Sequence, residues 1–192
     1  MEGQMNRTKK KIYAEELKEI KTKLEKRFGC VITSNKDSSS ITAIASALDT
    51  LGIKNKEEFM KNVAITLYKN IYLPFEFGCI SVDPLRQLEL VAHELEHVLQ
   101  WDHNVLEFGI NYLTKPEKRA EYEVKALGAN LEFRWRTAHQ LYDIKELSAH
   151  MKWYKISSKD IKVSEKHLAI LANILKQGGN YSIPVEAIMQ LI

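Results

Sequence analysis

Apolar residues recur along most of this chain at helical rather than strand spacing. Over residues 12–28, Tyr13, Leu17, Ile20 and Leu24 share one stripe, which predicts an amphipathic helix closed by Gly29. A short β-rich run, Cys30-Val31-Ile32-Thr33, follows. Asn35, Asp37 and Ser38-Ser39-Ser40 form a polar loop. Residues 40–51 read as a helix ending at Gly52, and Asn55 caps a short helix through Lys61. The period then changes. Val63–Tyr68 and Ile71–Leu73 are predicted strands around a Lys69-Asn70 turn, and Ile80–Val82 is a further strand candidate after Gly78. Pro74 favours an edge position for the second strand, because proline cannot donate to a ladder.

Helical spacing returns with clear start signals. Asp83 is a good N-cap and Pro84 suits the first helical position, so a helix should run from Pro84 to about Trp101. Thr114-Lys115-Pro116-Glu117 has the form of a capping box and predicts a second long helix running past Arg134. Asp143 is placed to cap a helix to about Trp153, residues 154–160 connect, and an amphipathic helix spans 160–176 before Gly178-Gly179. The tail from Ile183 to Ile192 is apolar enough to dock. Few strands among many helices predict an α+β fold in one domain, residues 1–192. Its parts are an N-terminal helical extension over 1–28, a core over 29–155 and a C-terminal helical extension over 156–192.

Composition narrows the function classes. No apolar run approaches the roughly 20 residues of a membrane span. The basic N-terminus has no apolar stretch behind it, so no secretory signal is expected; the expected location is the cytoplasm or a particle assembled there. Cys30 and Cys79 lie far apart and read as reduced, part-buried thiols. The net charge of +3 is spread through alternating Lys and Glu, and Lys9–Lys11 reads as a solvated tail, so no nucleic-acid partner is expected. The sequence does not indicate an oligomeric state.

The chemistry is carried by Ala92-His93-Glu94-Leu95-Glu96-His97-Val98, an H-E-x-x-H match inside the first marked helix. Two histidines four apart project from one helix face, so both imidazoles reach one Zn²⁺, and Glu94 stands beside them as general base for a water activated there. Six histidines in the chain make a chance match rare, about 0.02 occurrences. Leu88, Val91, Leu95, Val98 and Leu99 fall on the roughly opposite face, at about 140–240° from His93. The helix therefore has a core side and a histidine side. Glu96 reads as a solvent residue or one just outside the ligands.

Catalytic zinc takes a third protein ligand and keeps one position open. His103 lies ten residues after His93, but Gln100 stands where a glycine would be needed to turn that histidine back. The other candidates are Glu121 and Glu123, about 200° apart on the second long helix. Glu121 shares a stripe with Glu117, Lys125, Gly128 and Glu132, which reads as a solvated face. Glu123 shares one with Ala120, Ala126, Leu127 and Asn130, small or apolar residues suited to close helix approach. Glu123 is the expected third ligand and His103 the competitor. Tyr112, Tyr122, His139, His150 and Arg134 are candidate transition-state donors, each also readable as structural. Trp101, Phe108, Phe133, Trp135 and Trp153 read as core.

H-E-x-x-H followed on a later helix by Glu123-Val124-Lys125-Ala126 resembles the gluzincin branch of the zincin metallopeptidases. Residues 63–135 are similar to small phage-borne metallopeptidases, notably Ile71-Tyr72-Leu73-Pro74 and Leu90-Val91-Ala92-His93-Glu94 through His97-Val98-Leu99-Gln100-Trp101. The resemblance implies a small mixed sheet beside the H-E-x-x-H helix, zinc held by His93, His97 and Glu123, and hydrolysis of an amide bond in a peptide or protein, peptidoglycan peptides included. It also implies a strand edge, expected at Ile71–Gly78, that binds extended substrate. Leu127 departs from the pattern, standing where many gluzincins carry an acidic residue that steadies a ligand histidine. Asp102, Asn130 and Asn111 are the candidate substitutes. The competing expectation is the same zinc-binding fold used as a non-catalytic structural or binding module, for instance in a phage particle.

Overall fold

In the computed structural model, residue 12 and residues 14–36, 38–50, 55–103 and 105–192 are described. Tyr13, Lys9–Lys11, Asp37 and Gly52 lie outside them. Helix α1, Ala14–Phe28, buries Leu17, Ile20, Leu24 and Phe28. Its acidic first turn and basic last turn complement the helix dipole, and Gly29, at φ +59°, turns the chain out of it. Strand β1, Val31–Ser34, follows. Helix α2, Ser39–Thr50, begins one residue before the expected start at Ser40 and takes Ser39 out of the expected loop. Helix α3, Lys56–Asn62, is capped by Asn55, whose side chain accepts from the backbone N–H of Glu57 and Glu58.

Strands β2, Ile65–Leu67, and β3, Asn70–Leu73, complete a three-stranded sheet of order β1-β3-β2. β1 runs parallel to β3 with Ile32 opposite Ile71; β2 runs antiparallel with Thr66 opposite Ile71. Two expectations are corrected here. Leu67 pairs with Asn70, so the turn is Tyr68-Lys69 rather than Lys69-Asn70, and Tyr68 adopts φ +55° to make it. The strand before Pro74 is central, not an edge. Pro74 lies one residue past its end, where the missing N–H costs the ladder nothing. The expected substrate edge at Ile71–Gly78 is therefore paired on both sides over Ile71–Tyr72, and β1 and β2 are the strands left with one neighbour. Ile80–Val82 forms no strand: Gln87 holds that loop through Gly78 N and the Cys79 and Val82 carbonyls.

Helix α4, Pro84–His103, runs two residues past Trp101. Residues 105–114 are helical too, as α5, Val105–Thr114. Thr114 therefore ends one helix rather than capping the next. Its hydroxyl bonds the Ile110 carbonyl at 2.7 Å, and α6, Pro116–Ala138, starts from Lys115 with no side-chain cap. Asp143 caps α7, Ile144–Ala149, which tightens into a 3₁₀ turn over His150–Tyr154. Helices α8, Ser158–Lys176, and α9, Ile183–Met189, follow.

The sheet lies between two apolar clusters. Ile32, Ile71 and Leu73 point to α4, where Leu88, Val91, Leu95 and Val98 meet them together with residues of α1 and α9. The other face carries Ile65, Leu67 and Tyr72 against Ile41, Ala45 and Phe59. A third cluster joins α6, α7 and α8. The apolar tail docks as expected, with Val185 and Ile188 wholly buried. Its approach overturns one reading: Glu132 is not on a solvated face but fully buried, accepting the backbone N–H of Tyr181 and Ser182 at 2.8 and 2.7 Å. Gly128 makes room for that crossing, since a Cβ there would stand 2.6 Å from the Tyr181 ring. The fold is mixed α+β and mostly helical. Among the described residues no helix is long and apolar enough to cross a membrane.

Candidate metal centre

Helices α4 and α6 face each other with His93 opposite Asn130, His97 opposite Glu123 and Gln100 opposite Tyr122, an order that makes them antiparallel. The two imidazoles project one turn apart, ring centroids 5.1 Å from each other at 78°. Nδ1 of His93 lies 3.0 Å from the Asn130 Oδ1, and Nδ1 of His97 lies 2.9 Å from the Gln100 Oε1. The Gln100 nitrogen donates to the Tyr122 carbonyl at 3.1 Å, which turns its oxygen toward His97. Both Nδ1 atoms therefore carry the proton and donate, and both Nε2 lone pairs are free for a metal.

Those lone pairs converge on Glu123. Nε2 of His93 is 3.8 Å from its Oε2, and Nε2 of His97 is 3.6 Å from its Oε1. Donors around a tetrahedral ion with bonds of about 2.0–2.1 Å stand about 3.4 Å apart, so the three are spaced to share one cation. All three are buried, with ligand atoms within 4.8 Å of one another. Glu123 Oε1 accepts the Tyr112 hydroxyl at 2.5 Å, whereas Oε2 is buried with no hydrogen-bond partner. An orphaned carboxylate oxygen is costly. A cation between the three side chains would satisfy it, and the residues fit a metal.

Glu94 is 3% exposed and shares its Oε2 with the Thr66 hydroxyl on β2 at 2.7 Å. Burial raises its pKa against the opposing pull of His97 and Thr66. Burial also raises Glu123, although His97 and the Tyr112 hydrogen bond oppose it. The histidines diverge. Burial, then His97, lowers His93 to about 3; burial would lower His97 as well, but the Glu123 and Glu94 carboxylates outweigh it and raise its pKa. Arg119 of α6 ties down the surrounding wall. It donates to the carbonyls of Tyr112 at 2.6 Å and Leu113 at 3.0 Å, both on α5, and to that of Tyr154 at 2.6 Å. Tyr154 is near enough to Glu123 for that carboxylate first, then burial and Glu94, to push its phenol pKa well up.

His93, Glu94, His97 and Glu123 thus meet at one place. His103 does not: α4 continues straight through it and leaves it exposed at the helix end. Glu121 is exposed and pairs with Lys118 at 2.8 Å. Of the candidate supports, Asn130 holds His93, while Asp102 pairs with Lys69 at 2.8 Å and Asn111 bonds Glu107. Glu96 turns away to the Ser182 hydroxyl at 2.6 Å. Among the candidate donors, Tyr112 serves Glu123, Tyr122 offers its carbonyl to Gln100, and His139 ends α6 in a left-handed conformation. His150 and Arg134 line a neighbouring cavity. Phe108 and Phe133 are buried as expected and Trp101 and Trp135 half-buried, but Trp153 is 60% exposed. Sequence reasoning missed three residues: Gln100, whose signal is its i+3 spacing from His97; Thr66; and Tyr154. Comparison of the chain with protein-family models, curated proteins and solved structures returned no match.

Proposed function

We propose that this chain is a zinc-dependent metallopeptidase. The observation that carries the reading is the orphaned Glu123 Oε2, buried beside two histidine Nε2 atoms whose Nδ1 protons are already committed. His93, His97 and Glu123 would hold the ion, and a set of three leaves a position open for substrate. When bound, zinc supplies Lewis acidity at a carbonyl and acidifies water. Glu94 accepts the proton of the attacking water and returns it to the leaving amine; its raised pKa brings it nearer neutrality, where such transfer is efficient. Thr66 fixes one Glu94 oxygen and leaves the other for this work. Tyr154, kept protonated, donates a hydrogen bond to the developing oxyanion. The single-neighbour strand β2 offers backbone groups to an extended peptide beside Glu94.

Glu94→Gln should keep one zinc per chain and lose peptide hydrolysis by about 10²–10⁴-fold, whereas His93→Ala loses both. Full activity in Glu94→Gln sinks the mechanism. The near-complete burial of all three ligands favours a second reading, zinc held for structure alone. One zinc per chain with no turnover across peptide and peptidoglycan libraries would decide for it.

A further inference from the structure

A cavity of about 560 Å³ opens one side chain away from the histidines. Arg86 and Glu89 of α4, Asn130 and Arg134 of α6, Tyr142 and His150 contribute to its wall. We propose that it is a carboxylate-binding subsite in which Arg134 pairs with a substrate carboxylate, either an acidic side chain or a chain terminus. That the carboxylate belongs to a peptide rests on the peptidase reading above.

The cavity and the metal centre lie along the same two helices, α4 and α6. Arg86, Glu89, His93 and His97 are spaced by three, four and four residues, one stripe of α4. Glu123, Leu127, Asn130 and Arg134 are spaced by four, three and four, one stripe of α6. The antiparallel packing sets Arg134 near the start of α4 and Glu123 near the histidines. The 3₁₀ turn repeats the order, with His150 on the cavity and Tyr154 beside Glu123. From Glu123 to Arg134 the helix rises about 16 Å, the span of roughly five extended residues.

Of the two arginines lining this cavity, Arg134 is the one without a carboxylate. Arg86 is closed on Glu89 at 2.7 Å, and the other Glu89 oxygen accepts the Tyr142 hydroxyl. Asp83 is exposed and caps α4 through the Arg86 N–H. Elsewhere on α6, Arg119 has its three carbonyls, and Arg136 pairs with Glu132 and Glu186. The Arg134 guanidinium stacks on the Tyr142 ring, 4.3 Å to the centroid, within hydrogen-bonding reach of its hydroxyl, and its Nε is buried with no hydrogen-bond partner. No ion pair to it exists among the described residues. A part-buried guanidinium lacking an anion is costly, and its planar fork matches one carboxylate in two parallel hydrogen bonds. The carboxylates of Glu89 and Asp83 in the same wall disfavour a dianion such as phosphate.

The test is calorimetric titration of the full chain, metal-free and also zinc-loaded with Glu94→Gln to stop turnover. The probes are hexa-alanine with a free C-terminal carboxylate, its C-terminal amide, and amidated peptides carrying Glu or Gln at one position. At least one carboxylate probe should bind about tenfold or more tighter than its neutral match. Arg134→Gln should abolish that difference, and Arg134→Lys, which keeps the charge, should restore part of it. The free-terminus and Glu arms identify the source. Equal binding of every matched pair, absence of binding, or a preference that survives Arg134→Gln overturns the proposal. Zinc-loaded wild-type protein that hydrolyses no peptide counts against the peptidase reading alone, because the binding arm reads Arg134 without metal.

Discussion

The two sides of α4 are buried almost equally and for opposite reasons. Toward the sheet, Leu88, Val91, Leu95 and Val98 are wholly buried among other apolar side chains. Toward α6, Glu89, His93, His97 and Gln100 are nearly as buried, and meet Glu123 and Asn130. Burying an aliphatic side chain contributes roughly 1.5–3 kcal/mol, whereas a buried polar atom left without a partner costs about 1–3 kcal/mol. One side holds the fold together; the other is tolerated by it and would be relieved by a cation. Burial alone therefore says nothing about whether a residue stabilises this protein.

The sharpest way to separate the sides is to remove a ligand. His93→Ala or Glu123→Ala should weaken zinc binding by roughly a thousandfold or more, read by competition with a chromophoric chelator. The metal-free protein should melt only a little earlier than wild type, since each change removes a buried ionisable group but leaves Asn130 or Tyr112 without its partner. A melting loss as large as that of a core leucine would break the comparison. Leu95→Ala on the sheet side should cost about 3 kcal/mol in urea unfolding, with the zinc affinity of the folded fraction unchanged.

Smaller effects should follow from the supporting amides. Asn130→Ala and Gln100→Ala each free one imidazole to rotate, so each should weaken zinc binding about 10–100-fold without moving the urea midpoint by more than about 1 kcal/mol of stability. The smallest effect is linked to pH. Zinc requires neutral imidazoles, and the Glu123 and Glu94 carboxylates hold the His97 pKa above its usual value. Affinity should thus fall about tenfold per pH unit as the pH drops below that raised pKa. In the metal-free protein the sign reverses: protonated His97 stabilises the fold at acid pH, and that stability is lost as the pH rises through its folded pKa. His93, lowered by burial, contributes the other way, losing stability as the pH falls. A chelator titration from pH 5 to 8 that shows no slope would refute the linkage.

What was legible in the sequence depended on whether the information was local. The H-E-x-x-H spacing and the stripe that prefers Glu123 to Glu121 are properties of single helices, and both place their residues where the structure does. Gln100 was also local, one turn after His97, yet was weighed only as the glycine a turn would need. Thr66 was not readable, because a strand residue reaches Glu94 only through tertiary packing. α5 escaped because Leu106, Ile110 and Leu113 are exposed while Phe108 is buried, so the segment shows no polar face to set the period. Pro74 misled by one residue, and Glu132 misled because the tail that covers it comes fifty positions later.

That tail also governs when the protein can fold. Arg27 of α1 bonds Gln190, 163 positions away, at 2.9 Å, and Ser182 reaches back to Glu96. The sheet-side core of α4 is closed by Val185 and Ile188, synthesised about ninety residues after it. Contacts of such sequence separation carry a large loop-closure entropy and form late. A nascent chain that has released α4 from the ribosome still presents open apolar surface around it, the kind of surface that chaperones shield.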